Sequence, residues 1–199
     1  MKFKTHGNEK TLIINGHPNR NSLCTGLAES YLKGAITANG NCEIVYLSDL
    51  DFNLNLEQGY QKRTELEPDL LQTWDKIKAA DHLVFVYPNW WGTYPALLKG
   101  FIDRLFLPGF AFEQYENSIK WGKLLKGKTA HIIVTMDSPG FFYKLFLKSP
   151  GHNSMKKSIL GFCGIKTTKT SNFRVVKTAT PEKRQKWIKK AYEMGRKTA

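Results

Sequence analysis

The chain has 199 residues, 41% of them hydrophobic and 24% charged, which is the composition of a soluble globular protein with one sizeable core. No apolar run approaches the roughly 20 residues that span a bilayer, and the first residues carry no signal-peptide pattern, so we expect an intracellular, cytoplasmic protein. The formal net charge of +13 favours anionic ligands, but no recognised nucleic-acid-binding motif accompanies it, so we expect no nucleic-acid partner.

The first half of the chain alternates short apolar runs with amphipathic segments, which is the pattern of βα units around a parallel sheet. A first strand is predicted at TLIIN, from Thr11, and an amphipathic helix follows it as far as Asn39 and Gly40. A second strand is predicted at CEIVYLSDL, from Cys42, and Pro68 is well placed to open the next helix.

The second half continues the same alternation. A third strand is predicted at DHLVFVYP, a helix at PALLKGFIDRLF, and a fourth strand at TAHIIVTM, from Thr129. A long loop, SPGFFYKLFLKSPGHN, then precedes a helix at SMKKSILGFCG and a weak fifth strand at IKTTKTSNF. Thr180 is predicted to cap a final helix that has Pro181 in its first position.

The composition of the five strands predicts their order in the sheet. Strands one, three and four are almost wholly apolar, as expected where helices cover both faces of a parallel sheet. Strand two contains Glu43 and Asp49, and strand five is mostly Thr and Lys, so both belong at edges. We therefore predict a flavodoxin-like three-layer sandwich: a single domain over residues 1–199, with a five-stranded parallel sheet of order 2-1-3-4-5 and helices on both faces.

The predicted order places a ligand site beyond the carboxyl ends of strands one and three. The first loop there, GHPNRNSLC, precedes a helix whose free amide groups suit a phosphate, with Arg20 as an additional charge. The alternative is an ordinary helix cap by Ser22. The loop contains neither GxGxxG nor GxxxxGK[ST], which argues against a Rossmann dinucleotide site and against ATP hydrolysis.

The second loop, PNWWGTYP, contains two adjacent tryptophans, Trp90 and Trp91. Their indoles either pack into the core of the protein or wait for a flat aromatic ligand. Opposite a phosphate site we favour the ligand, and FMN satisfies both loops. No metal is expected, because Cys24, Cys42 and Cys163 are widely spaced and form no CxxC pair.

Four segments carry a resemblance to a known family. LIINGHPNRNS, ADHLVFVYPNWWGTYPALLKGFIDRLFLPGFAF, LLKGKTAHIIVTMDSP and PGHNSMKKSILGFCGIK cover most of the chain. They resemble the flavodoxin-like NAD(P)H quinone oxidoreductases, a family that includes quinone reductases, modulators of drug activity and ancillary proteins of potassium-efflux systems; the short bacterial members are the most similar. The resemblance implies a ping-pong reaction in which NAD(P)H reduces a bound flavin and a quinone or similar acceptor reoxidises it.

The resemblance also implies site residues at matching positions. Tyr143 and His152 correspond to a catalytic pair that hydrogen-bonds the flavin, although their spacing differs from that in quinone reductases; a structural role for His152 is the alternative. Three groups of cofactor-binding residues are implied: His17, Ser22, Leu23 and Cys24 at the phosphate; Pro88, Asn89, Trp90, Trp91 and Gly92 along the isoalloxazine ring; and Thr135, Met136, Asp137 and Ser138 beside its pyrimidine half.

The resemblance leaves several partners open. FMN is favoured over FAD, because the chain lacks the C-terminal extension of the larger quinone reductases, and NADH and NADPH are both open as donors. Family members are typically homodimers, and the apolar segment LFLPGFAFEQY would form an interface if exposed. A second function, from another class, is a flavin-binding ancillary subunit that docks peripherally on a potassium-efflux transporter.

Overall fold

The computed structural model describes residues 9–62 and 64–198. It contains a five-stranded parallel sheet, a separate two-stranded hairpin and helices on both faces of the larger sheet. The signal-peptide expectation rests partly on residues 1–8, which lie outside the described residues. The strands are β1 (Lys10–Asn15), β2 (Asn41–Tyr46), β3 (His82–Pro88), β4 (Phe112–Gln114), β5 (Trp121–Lys123), β6 (Thr129–Met136) and β7 (Lys166–Arg174).

The helices follow the predicted boundaries closely. Ser22 caps the first helix by accepting a hydrogen bond from Thr25 N, and Thr180 caps the last by accepting one from Lys183 N. Short 3₁₀ and π-helical segments, which the pattern did not predict, lie between the main elements. The helices are α1 (Leu23–Thr37), α2 (Pro68–Ala79), α3 (Ala96–Leu105), α4 (Pro150–Asn153) and α5 (Pro181–Arg196), with a 3₁₀ turn at Leu47–Asp49 and π-helical segments at Phe142–Phe146 and Ser154–Gly161.

The order of the parallel sheet is β2-β1-β3-β6-β7, so the predicted order 2-1-3-4-5 and the flavodoxin-like fold are confirmed. Side chains that alternate along the central strands pack into two separate cores, one on each face of the sheet. Ile14 and Phe85 pack in the core beneath α2 and α3, while Ile13 and Val84 pack in the core beneath α1 and α5. Burial on both faces explains why these strands read as continuous apolar runs. Both cores share one sheet, and the single domain stays a prediction.

Three segments depart from the predictions. Strand two ends at Tyr46, because the chain continues as the 3₁₀ turn Leu47–Asp49, in which Leu47 is buried in the core. The predicted loop SPGFFYKLFLKSPGHN contains the π-helical segment Phe142–Phe146, which is held by long-range hydrogen bonds of Tyr143. LFLPGFAFEQY is not exposed as a whole, because the chain turns back through Gly109 into the β4–β5 hairpin, and its role as an interface stays a prediction. Its buried side chains are Leu105, Phe106, Leu107, Ala111 and Phe112.

A buried histidine at the amino end of the sheet predicts acid sensitivity. His131 Nε2 lies 2.9 Å from Ser171 Oγ, and burial lowers the pKa of His131 from 6.5 to about 3, with Lys169 and His82 adding to the effect. Below about pH 6.5 the unfolded chain therefore binds a proton that the folded chain refuses, so the free energy of unfolding falls as the pH falls; above that pH this group has no effect.

His131→Gln removes the titrating group. Between about pH 7 and about pH 4, its free energy of unfolding should therefore fall by roughly 3 kcal/mol less than that of the wild type. Urea unfolding at the two pH values measures the difference. Parallel pH profiles for the two proteins would show that His131 is protonated at no cost in the folded state.

Candidate functional site

The carboxyl ends of β1, β3 and β6 surround a cavity of about 340 Å³ at the predicted switch point of the sheet. Gly16 N donates to Val86 O at 2.8 Å and so ties the loop after β1 to the end of β3. The cavity brings together ten of the thirteen predicted cofactor-binding residues, with three others. Its lining is His17, Asn21, Ser22, Leu23, Cys24, Pro88, Asn89, Trp90, Thr135, Met136, Asp137, Val176 and Arg184.

Side chains of the loop after β1 hold its backbone in place. Asn15 is buried; its Oδ1 accepts from His17 N at 3.1 Å and its Nδ2 donates to Thr25 Oγ1 at 2.9 Å. Asn19 Oδ1 accepts from Asn21 N at 2.8 Å. Because Ser22 Oγ takes up Thr25 N, the earlier amides of the first turn of α1 stay free for a ligand. This end of the cavity suits an anion.

His17 presents a defined donor at the phosphate end. Its Nδ1 accepts a hydrogen bond from Asn19 N at 2.9 Å, so the proton of the neutral ring lies on Nε2. Burial lowers the pKa of His17, which favours this neutral form. The ring packs edge-on against the indole of Trp90, with 5.6 Å between centroids. His17 therefore connects the phosphate end of the cavity to its aromatic wall.

Arg20 does not line the cavity. Its guanidinium carbon lies 3.1 Å from the centroid of the Tyr46 ring, and its Nη1 lies 3.3 Å from Asp49 Oδ2. The expectation that Arg20 serves the phosphate is therefore wrong for this structure, because two partners at the end of β2 hold it. Arg184, from the first turn of α5, lies in the cavity wall instead, and its Nη2 donates to Val176 O at 3.1 Å.

The two tryptophans point in different directions. Trp90 lines the cavity and is 44% exposed, whereas Trp91 is fully exposed and lies outside it. Trp90 and Thr93 form a backbone pair around a two-residue turn, with Trp91 at φ 51° and Gly92 at φ 81°. Such a turn requires positive φ at both central positions, which is ordinary for glycine and uncommon for tryptophan.

The end of β6 forms the opposite wall. Thr135 Oγ1 lies 3.3 Å from Cys24 Sγ, and burial raises the pKa of the Cys24 thiol to about 12, so it is no nucleophile at neutral pH. Asp137 Oδ1 accepts from Lys177 N at 2.6 Å, which joins the loop after β6 to the loop after β7. Ser138, predicted with this group, does not line the cavity.

Tyr143 and His152 form a hydrogen-bonded pair outside the cavity lining. Tyr143 is buried; its Oη lies 3.1 Å from Gly92 O, 3.1 Å from Gly151 N and 3.0 Å from His152 Nδ1. Asn172 Oδ1 lies 2.7 Å from His152 Nε2. This acceptor favours the proton on Nε2, which leaves Nδ1 to accept from Tyr143. The pair therefore reaches the tryptophan loop through Gly92.

The environment of the pair favours its neutral form. Burial lowers the pKa of His152, and the positive charge of Arg174 lowers it further, while the hydrogen bond to Asn172 opposes both. Burial raises the pKa of Tyr143. Asn172 and Arg174 lie in the edge strand β7 and were not predicted as site residues. A polar residue in a strand of Thr and Lys carries no signal that would single it out.

Comparison with known proteins places the chain in a family. The model of a family with the flavodoxin-like fold matches residues 9–195. The chain belongs to this family. A relative from Haemophilus influenzae, an uncharacterized NAD(P)H oxidoreductase, is 33% identical over 168 residues, which cover 81% of this chain and 82% of the relative.

Two solved structures share the fold of this flavodoxin-like family member. The NAD(P)H:quinone oxidoreductase from Methanothermobacter marburgensis superposes with a TM-score of 0.80 at 22% identity and covers 96% of this chain and 100% of its own. An FMN-dependent NADH-azoreductase from Bacillus anthracis, in complex with FMN, has a TM-score of 0.73 at 21% identity and covers 96% of this chain and 99% of its own. Both likenesses support the architecture described above.

Proposed function

We propose that this family member is a flavin-dependent NAD(P)H:acceptor oxidoreductase that holds FMN in the switch-point cavity and reduces a quinone or a similar small molecule. One observation carries the proposal: the free amides at the start of α1 and the indole of Trp90 line the same cavity. The amides suit a phosphate and the indole suits a flat ring. The names of the relatives mention NAD(P)H, quinone and FMN, which supports the same chemistry.

The size of the cavity favours FMN over FAD. A volume of about 340 Å³ lies near the lower end of the range for ligand sites, roughly 300–1,000 Å³, and suits a mononucleotide better than a dinucleotide. Both NADH and NADPH stay open as donors, since the net charge of +13 attracts either anion.

We assign the two ends of FMN from the walls of the cavity. At the phosphate, the amides of Leu23 and Cys24, the Ser22 hydroxyl and His17 Nε2 would donate hydrogen bonds. The ring would lie between the walls formed by β3 and β6. Pro88, Asn89 and Trp90 supply the first wall, and Thr135, Met136 and Asp137 supply the second. Gly92 and Ser138 lie outside the lining, and their predicted contacts with the ring stay a proposal. Trp91 also lies outside the lining and is fully exposed, so we assign it no contact with the ring.

Bound FMN would supply the hydride chemistry, and the chain would supply position and charge stabilisation. Tyr143 and His152 stay our proposed catalytic pair. Tyr143 Oη carries a proton that is shared between Gly92 O and His152 Nδ1, so a small shift of the phenol would let it donate to a ligand oxygen that gains negative charge. Asn172 would keep the His152 proton on Nε2 throughout.

The function is tested by mixing the FMN-loaded protein with NADPH in a stopped-flow instrument and following loss of the yellow absorption. We expect reduction in the wild type and about 10- to 100-fold slower reduction in Tyr143→Phe, because a positioned proton donor contributes at least that much. Tyr31→Phe is the control. It removes another buried phenol, bonded to Thr198 Oγ1 in the core beneath α1 and α5 and outside the cavity lining, and should reduce at the wild-type rate.

Each alternative outcome has a distinct meaning. Equal rates in the wild type and Tyr143→Phe would remove Tyr143 from the mechanism. A protein that binds FMN but is reduced by neither NADPH nor NADH would favour the ancillary-subunit function, with peripheral docking on a potassium-efflux transporter. A protein that binds no flavin would contradict both functions.

We also propose that the protein is a cytoplasmic homodimer. An open groove of about 480 Å³, between α3 and the segment Ser154–Gly161, is lined by Tyr94, Phe106 and Phe112 and offers apolar contacts to a second copy. Sedimentation velocity measures the oligomeric state directly.

The three cysteines are unpaired, which agrees with a reducing compartment. None of the described helices is long and apolar enough to cross a membrane.

A further inference from the structure

The segment Phe142–Phe146 and its flanks expose an unusual number of large apolar side chains. Leu145 is 67% exposed and Phe146 is 69% exposed. The rings of Phe142 and Phe146 stack on each other, with 5.5 Å between centroids, instead of packing into the core. We call this surface the apolar patch; its members are Phe141, Phe142, Leu145, Phe146 and Leu147. Contiguous apolar surface of this kind marks an interaction site.

Hydrogen bonds connect the turn that carries the exposed indole of Trp91 to the segment that carries the apolar patch. Tyr143, in the middle of the patch segment, is bonded through its Oη to Gly92 O, and Gly151 N donates to the same carbonyl at 2.8 Å. These bonds join the turn that carries Trp91 to the middle of the patch segment and to the start of α4. Because Trp90 of the same turn lines the cavity, the patch lies beside the proposed FMN site.

The charged side chains in the stretch of sequence that contains the apolar patch are all positive. Residues 138–181 contain eight Lys or Arg residues and no Asp or Glu. Lys144 lies between members of the apolar patch and Lys148 directly follows the last of them. Lys156 and Lys157 lie in the next π-helical segment, and all four lysines are exposed. Exposed Phe, Leu and Trp side chains interleaved with lysines are the composition of a surface that enters the interface of an anionic bilayer.

A second copy of the chain fits this surface poorly. In a twofold symmetric interface the same patch occurs on both subunits, so both copies of Lys144 and Lys148 would enter one interface, and residues 138–181 offer no acidic residue to pair with them. The groove between α3 and the segment Ser154–Gly161, lined by Tyr94 and Phe112, carries Asp103 as well as Lys99, which suits self-association better. Charge complementarity therefore favours an anionic partner for the apolar patch.

We propose that the apolar patch, together with Trp91, docks this protein peripherally on the surface of an anionic lipid bilayer. Phe146, Leu145 and Trp91 enter the headgroup region, while Lys144 and Lys148 contact lipid phosphates. Docking places the mouth of the cavity near the bilayer, where apolar acceptors dissolve. The proposal is independent of the proposed function, because it needs neither flavin nor turnover.

The test is co-sedimentation of the full chain with two kinds of vesicle, one of phosphatidylcholine alone and one of phosphatidylglycerol mixed with phosphatidylcholine. We expect binding to the acidic vesicles only, with a blue shift of tryptophan emission that Trp91→Phe abolishes. Leu145→Ser/Phe146→Ser should weaken partitioning about tenfold or more. Lys144→Glu/Lys148→Glu should do so as well.

Matched controls separate the apolar patch from general charge and general apolarity. Lys186→Glu/Lys189→Glu makes the same change in net charge on α5, and Ile119→Ser removes a side chain that is 96% exposed near the hairpin; both should bind vesicles as the wild type does. All the mutated residues are exposed, so thermal melting should confirm intact folding.

Three results would overturn the proposal. The first is equal binding of the patch variants and the α5 control, which would show attraction by net charge alone. The second is conversion of a dimer to a monomer by Leu145→Ser/Phe146→Ser, which would assign the patch to a second copy. The third is binding to an acidic protein or nucleic acid that the patch variants abolish, while acidic vesicles are not bound.

Discussion

Gly195→Ala should destabilise the folded protein by about 3 kcal/mol or more, and lower its melting temperature by roughly 6–12 °C. Gly195 lies in α5, where a Cβ would overlap the carbonyl oxygen of Tyr31 in α1; a Cβ on Gly34 would overlap the carbonyl oxygen of Tyr192 in the same way. The two helices approach backbone to backbone at these positions. Because a backbone carbonyl cannot rotate away as a side chain can, the helices must separate.

Gly26→Ala is the matched control for this prediction. It makes the same change in the same pair of helices, but its Cβ would meet only the Cδ1 atom of Ile188, at 3.1 Å, which is the end of a flexible side chain. We expect a melting temperature equal to or slightly above that of the wild type, since alanine is the better helix former by up to about 1 kcal/mol. If thermal unfolding followed by circular dichroism shows Gly195→Ala and Gly26→Ala melting together, the close approach of α1 and α5 is wrong.

Trp90→Ala should weaken FMN binding by roughly 30- to 150-fold. The indole of Trp90 forms the aromatic wall of the cavity and packs against His17, which lies at the phosphate end. Loss of its buried area and of its stacking on a flat ring amounts to about 2–3 kcal/mol, which corresponds to that change in the dissociation constant. Titration of FMN, followed by quenching of its fluorescence, gives the constant for each variant.

The neighbouring tryptophan supplies the comparison. Trp91 is fully exposed and lies outside the cavity, so Trp91→Ala should change the FMN dissociation constant by less than about threefold. A larger loss in Trp91→Ala than in Trp90→Ala would contradict the assignment and favour the sequence-based expectation that both indoles lie along the ring. If the wild type itself binds neither FMN nor FAD, the proposed function fails independently of either variant.

The elements that sequence analysis placed correctly are those with a strong local signal. Ser22 and Thr180 cap their helices because a hydroxyl at that position satisfies a free amide whatever the rest of the fold does. The strand order followed from the contrast between apolar central strands and polar edge strands, a contrast imposed by helices on both faces. With the order known, a ligand site was predicted at the carboxyl ends of β1 and β3, where the structure has a cavity.

The details that sequence analysis missed depend on contacts between distant residues. Arg20 was expected at the phosphate but stacks on Tyr46, whereas Arg184, far away in the chain, lines the cavity. Asn172 reaches His152 only because β7 pairs beside β6. Nothing in the local sequence of either residue indicates such a partner.

The sequence by itself determined the class of fold, the order of the strands and the edge of the sheet where a ligand site belongs, because periodicity and capping are local properties of the chain. Only the tertiary structure decided that Trp90 faces the cavity while Trp91 faces solvent, since Trp91, at φ 51°, is a central residue of the turn that Trp90 opens. It also decided that the apolar run before the hairpin is buried and that the run after β6 is exposed. Both runs are rich in Phe and Leu, and the burial of each depends on which surfaces the fold leaves uncovered.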